Sequence, residues 1–261
     1  MATNVEDEEE LDQIFSAVES SLEHPQVEPE ARLYVEMVYN IDRGQMEKGK
    51  CAAMSLVTRE RSAGNLGNLI WALVNAAQAM RRCGELSLAK RYLEEAFTVA
   101  RGKHLSARAC TVAHHLVLTA LAEDDIKAAK QWLVAAREYA IPSEDLHTQH
   151  EHLYYGARIA LMEGKTEEAS RLHSKILLHN DQSLLRRISL IALSLRLRIR
   201  DCSPCEEIRT LVAQLDELFR VERARGGQDF EAFSLYLGEV YLGDSAAARE
   251  RLQNYVATFR R

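Results

Sequence analysis

The feature that most limits how this 261-residue chain can fold is that it repeats itself every forty residues. A turn signal stands at Gly44, Gly84, Asp124, Gly164 and Pro204, and again, one residue early, at Gly243. Five residues further on lies a small side chain, Gly49, Ala89, Ala129, Ala169 and Ala248, with Arg209 the exception in the fifth unit. Before the turns, Leu33, Leu73, Ala113, Leu153 and Leu193 keep the same step. Within one unit, Leu69, Leu73, Ala76, Ala77 and Met80 recur at three- and four-residue intervals, the spacing of one helix face. Gly84 then ends that helix, because glycine most easily takes the left-handed cap conformation. A second helix follows from about Ser87 to Ala100, with Ala89, Leu93 and Ala96 on one side, small enough for two backbones to approach closely. A helix pair of this length cannot hide its apolar face alone, so successive pairs must stack.

A turn followed by Ala, a large apolar residue and Ala at four- and three-residue gaps resembles the tetratricopeptide repeat (TPR). The match is carried by Gly84, Ala89, Leu93 and Ala96, and next by Asp124, Ala129, Leu133 and Ala136. It covers residues 30–261 as about six units, near 30–68, 69–108, 109–148, 149–188, 189–228 and 229–261. The typical unit is about 34 residues, so forty implies longer helices, and Leu73 and Met80 stand where the family carries Trp and Tyr in its first helix. The resemblance implies an all-α, TPR-like α-α superhelix, a solenoid whose first helices line a concave groove. Residues 1–29 form a separate acidic segment, in which Leu11, Ile14, Phe15, Val18 and Leu22 share one face and suit a capping helix.

Charge narrows the partners. Residues 1–30 hold ten carboxylates and no Lys or Arg, which leaves the remainder with a net charge of +4 against −6 for the whole. That surplus is too small for a nucleic-acid-binding surface, and the acidic segment could instead lie across the groove as a stand-in ligand. No apolar run approaches a membrane span, the amino terminus is acidic where a signal peptide would be basic and then apolar, and Ala2 excludes myristoylation. Five scattered cysteines make no disulfide framework and suit a reducing compartment, so a cytoplasmic protein is expected.

Candidate chemistry is sparse. Cys202-Ser203-Pro204-Cys205 lacks a second ligand pair for zinc and reads as a helix start, with Ser203 as cap, Pro204 at the first position and Glu206 closing a capping box. His147, His150 and His152 surround Glu151 in an order unlike the zinc-protease motif and read as solvated histidines. "GNLGNL" at 64–69 follows no strand and reads as a connector rather than a phosphate loop. No nucleophile motif is present, so the expectation is a non-enzymatic protein with no cofactor and no metal.

Function is then expected on the inner surface. Stepping by forty along the first helices gives Tyr34, Val74, His114, Tyr154 and Ser194, and four residues on Val38, Gln78, Leu118, Arg158 and Arg198. Trp71 lies one turn earlier in the second unit, and Asn75 resembles the asparagine of TPR domains that grip a terminal carboxylate. The lysines of that clamp are replaced by Tyr34, Val38, Thr111 and His115, so the clamp itself is not expected. The candidate binding residues are Tyr34, Trp71, Asn75, Gln78, His114, Tyr154, Arg158 and Arg198, aromatic and arginine anchors of the kind that dominate interfaces. They point to a scaffold or adaptor that takes a peptide or helix of a partner protein. The alternative is a ligand- or peptide-sensing regulatory module, similar to the helical-repeat sensor parts of bacterial transcription activators. The last pair has no polar helix after it, so it either caps itself with Arg249, Arg251, Arg260 and Arg261 or offers an edge for self-association.

Overall fold

A computed structural model describes residues 16–17, 20, 28–42, 44–140, 146–177, 184–222 and 229–260. Twelve helices and no strand occur among them. In chain order they are α1 Pro29–Asp42, α2 Met46–Ala63, α3 Leu66–Arg82, α4 Leu86–Gly102, α5 Ser106–Ala122 and α6 Ile126–Tyr139. Then come α7 Leu146–Met162, α8 Thr166–Leu177, α9 Leu184–Arg200, α10 Cys205–Glu222, α11 Asp229–Leu242 and α12 Ser245–Arg260. The chain divides inside α4 into two compact units, Met1–Tyr92 and Leu93–Arg260. In the first, α1 packs on α2 and α2 on α3; in the second, α5 pairs with α6, α7 with α8, α9 with α10 and α11 with α12. The expected amino-terminal capping helix falls almost wholly outside the described residues, as does the acidic run. No described helix is long and apolar enough to cross a membrane.

From residue 44 to residue 124 the forty-residue period is two periods of twenty. Gly44, Gly64, Gly84, His104, Asp124 and Gly164 all have positive φ, between 56° and 78°, at intervals of twenty or forty residues. At Gly84 the amide donates to Arg81 O (3.0 Å) and the next amide, Glu85, to Met80 O (2.8 Å). Together these two bonds satisfy the last carbonyls of α3 in a Schellman cap. His104/Leu105, Asp124/Asp125 and Gly164/Lys165 repeat the same pair of bonds. The residue after the left-handed one then opens the next helix: the amides of Ala89, Ala109, Ala129 and Ala169 donate to the carbonyls of Glu85, Leu105, Asp125 and Lys165. One three-residue junction thus closes one helix and starts another with little unpaired backbone. "GNLGNL" is a related junction: left-handed Gly64 closes the helix with one bond, its amide donating to Glu60 O (3.3 Å), and the Asn65 side chain accepts from the amides of Gly67 (3.1 Å) and Asn68 (3.2 Å).

The small position sits where helices approach. Ala89, Ala129 and Ala169 are fully buried, and a Cβ added to Gly49 would meet Ile41 Cγ1 at 2.4 Å. The fifth pair departs from the even step. Proline cannot take positive φ, so the left-handed residue there is Cys202 (φ 52°), two residues before the expected Pro204. Ser203 occupies the position after it, and its carbonyl accepts from the Tyr241 hydroxyl (3.0 Å). Pro204 stands as an additional residue just before α10 rather than inside it. The small position is taken by Ile208, fully buried, while Arg209 is exposed and pairs with Glu206 (2.7 Å).

Stacking within Leu93–Arg260 is visible in how α9 divides its side chains. Leu193 and Leu197 join a core with Val117, Tyr154, Ala157 and Ile176, whereas Ile188, Ala192 and Leu195 join another with Ile208, Leu215 and Leu235. A helix apolar on two sides serves two neighbours at once, and each fully buried leucine stabilises by about 2 kcal/mol.

Candidate functional site

Equivalent positions on the first helices are found by counting back from each left-handed residue. Six residues before Gly164, Cys202 and Gly243 lie Arg158, Arg196 and Leu237. The arginine equivalent to Arg158 is therefore Arg196. Arg198 points the other way: it is about half exposed, with Nε 3.6 Å from Glu207 Oε2 at the start of α10.

Arg158 and Arg196 converge on one ring. The guanidinium carbon of Arg158 lies 4.2 Å from the centre of Phe230 and that of Arg196 lies 4.9 Å from it. Tyr154 flanks Arg158 at 5.6 Å, and Phe233 flanks Arg196 at 5.1 Å. Tyr154 also meets Phe230 edge-on, with centroids 6.5 Å apart. The cations thus sit on the electron-rich faces of rings from α7 and α11, an arrangement worth about 0.5–2 kcal/mol per contact. Arg196 Nε donates to the Ser234 hydroxyl (2.9 Å), which in turn donates to Phe230 O (2.6 Å). Phe233 is 40% exposed and stacks on Tyr236 (5.4 Å, 22°). Arg158 is held differently from Arg196: its Nε is buried with no hydrogen-bond partner, and no carboxylate pairs with it among the described residues. Sequence reasoning reached Tyr154 and Arg158 but missed Arg196, Phe230, Phe233 and Ser234.

The other expected positions separate into three groups. In Met1–Tyr92, Tyr34 packs on Trp71 (4.8 Å), and the Trp71 ring is 43% exposed. Asn75 donates its side-chain amide to Trp71 O (2.8 Å) on its own helix, and Gln78 is half-buried. Tyr154 (7% exposed) and His114 (3%) belong to the interior of Leu93–Arg260. There His114 Nδ1 lies 3.0 Å from Glu151 Oε2 while Nε2 is buried without a partner, and its ring rests 5.6 Å from Tyr155. Beside it, burial first, and then the electrostatic influence of His114 and Arg137, pull the His152 pKa down from 6.5 to about 4.

The histidines expected to be solvated are thus partly inside: His150 is buried and His152 half-buried, while the His147 side chain lies outside the described residues. Glu151 turns to His114 rather than to a shared metal position, and no cluster of three or more ligating side chains occurs among the described residues. Cys202 and Cys205 are free and exposed. At the carboxyl-terminal pair, Arg251 turns inward, bridging Asp216 (2.8 Å) and Glu239 (3.1 Å).

No family model and no curated protein matches the sequence. Solved structures do match in fold. The Rap conjugation gene regulator of the plasmid pLS20, determined in complex with the Phr* peptide, superposes with a TM-score of 0.63 at 15% identity, over 97% of this chain and 73% of that one. BtubC (BKLC) from P. vanneervenii superposes with a TM-score of 0.57 at 13% identity, over 95% of this chain and 90% of that one. The chain has the TPR-like helical repeat fold, as the forty-residue pattern implied.

Proposed function

We propose that this protein is a non-enzymatic, regulatory peptide-binding module, and that the face formed by α7, α9 and α11 receives a peptide or helix of a partner protein. The observation that carries this reading is the pair of arginines held on Phe230, with Tyr154 behind one and the exposed Phe233 beside the other. Rigid rings bind at low entropic cost, and planar guanidiniums add directional donors, so such a surface suits an extended ligand better than a flat apolar contact would. The reading is supported by fold likeness to a regulator whose structure holds a peptide, although that peptide is a fact about the other protein. It favours a sensing or switching role over a purely structural one, because one bound peptide could bridge neighbouring repeats and bias their packing.

A display library of linear peptides panned against the full chain tests the reading. Selected peptides should bind parent protein and lose at least about tenfold in affinity to Arg196→Ala or Phe233→Ala, the scale of a hot-spot truncation. Binding undiminished in both variants would place the peptide elsewhere.

A further inference from the structure

Arg158 is the one member of the cluster whose surroundings leave it chemically incomplete. Its guanidinium lies between Tyr154 and Phe230, with Nε buried and unpartnered and with no carboxylate paired to it among the described residues. A second guanidinium, that of Arg196, lies 4.9 Å from the centre of the same Phe230 ring. A buried donor without an acceptor carries its full desolvation cost. Some other cations of the same unit are matched: Arg251 holds two carboxylates, and Lys130 and Lys165 share Glu163.

From this we infer that Arg158, with Arg196 beside it, is the receptor for a carboxylate of the ligand, and that the exposed Phe233 takes an aromatic or large apolar side chain next to that carboxylate. A carboxylate reaching the open edge of the Arg158 guanidinium would form charge-assisted hydrogen bonds, short and about twice as strong as neutral ones. The ring faces hold the guanidinium planes in place beforehand, so little side-chain freedom remains to be lost on binding. The inference rests on the peptide reading only for the kind of molecule that carries the carboxylate, which is either a peptide C-terminus or an Asp or Glu side chain.

Three small probes separate these cases on the full-length chain: acetyl-Ala-Phe with a free C-terminal acid, acetyl-Glu-Phe-amide, and the neutral acetyl-Ala-Phe-amide. Binding is measured by isothermal titration calorimetry in every protein, and in the parent also by NMR from the Arg158 Nε–H signal, which burial protects from exchange. At least one acidic probe should bind about tenfold or more tighter than the neutral one, and whichever does so names the source of the carboxylate. That preference should vanish in Arg158→Gln and persist in part in Arg158→Lys, with circular dichroism and melting confirming that both variants are folded. Equal binding of all three probes, or an unchanged preference in Arg158→Gln, overturns the inference. Should the acidic probes bind through Arg158 while no library peptide does, the peptide reading falls and the carboxylate site stands. Should library peptides bind equally well with every acid replaced by its amide, the carboxylate site falls and the peptide reading stands.

Discussion

Acidification should weaken the Leu93–Arg260 unit, and His152 should carry a measurable share of the loss. The ring sits half-buried on α7, its centre 6.2 Å from that of His114, and burial is the largest cause of its lowered pKa, ahead of His114 and Arg137. With a folded pKa of about 4 against 6.5 for the free side chain, the folded state binds fewer protons than the unfolded state between those values. Stability therefore rises with pH across that window. The contribution is complete above about pH 6.5 and is lost as the pH falls toward 4. At about pH 5 the ceiling is roughly 2 kcal/mol, taking about 1.36 kcal/mol per pH unit. Part of the ring remains in water, so solvent screening brings the expectation to about 1 kcal/mol.

The chain's two tryptophans make the assay specific. Trp71 lies in the first unit and Trp132 in the second, so Trp71→Phe leaves Trp132 as the reporter of Leu93–Arg260. Urea unfolding followed by its fluorescence at about pH 7.5 and about pH 5 gives the acid loss. His173, lowered chiefly by its burial and opposed by a backbone hydrogen bond, adds to that loss in every variant, so the informative quantity is a difference. His152→Gln should lose about 1 kcal/mol less than its parent on acidification. Equal losses in the two proteins would refute the assignment of His152 as a buried neutral ring.

Two further expectations concern packing in the same unit, read from the same fluorescence. Gly156→Ala should stabilise by about 0.5–1 kcal/mol through helix propensity, since the new Cβ meets Leu172 Cδ1 at an ordinary 3.4 Å. Gly238→Ala should instead destabilise by about 1–2 kcal/mol, because its Cβ would lie 2.5 Å from Val212 Cγ2, on a β-branched side chain with little freedom to turn; a gain equal to that of Gly156→Ala would contradict the close approach there. Arg251→Met should cost about 2 kcal/mol by leaving Glu239, 8% exposed, without its cation. Arg209→Ala, which breaks only an exposed pair with Glu206, should stay within about 0.5 kcal/mol of the parent, and equal costs for the two would refute the ranking.

The fold was readable because its two most demanding positions restrict residue type. A Schellman junction needs one left-handed residue, and Gly44, Gly84, Asp124, Gly164 and Gly243 supply residues that take it readily. A close helix approach needs a small side chain, and Ala89, Ala129, Ala169 and Ala248 supply it. The half-period of twenty stayed hidden because His104 fills the intervening junction and histidine is a weak turn signal. Gly64 was visible but looked like part of a connector, since a glycine alone does not say that the helices on both sides have equal length.

The site was less readable for a reason that lies in the helix itself. Counting by forty assumes that every unit keeps its length, and the step from left-handed Gly164 to left-handed Cys202 is thirty-eight residues. Two residues turn a helix by about 200°, so the same slip that is negligible along the axis reverses the face. Arg198, on the row expected from the period, meets Glu207, while Arg196 turns to Phe230 and Ser234. An apolar or aromatic residue at the right helical step is equally ambiguous. Tyr34 lies against the exposed Trp71, whereas Tyr154, forty-step equivalents apart from it, is closed over by packing that includes Phe230. Periodicity locates a side chain on its helix, but what the neighbouring repeat places opposite decides whether it lines a surface or fills a core. At Arg158 the two cases meet: the neighbour offers a ring, so the guanidinium is held with no carboxylate paired to it among the described residues.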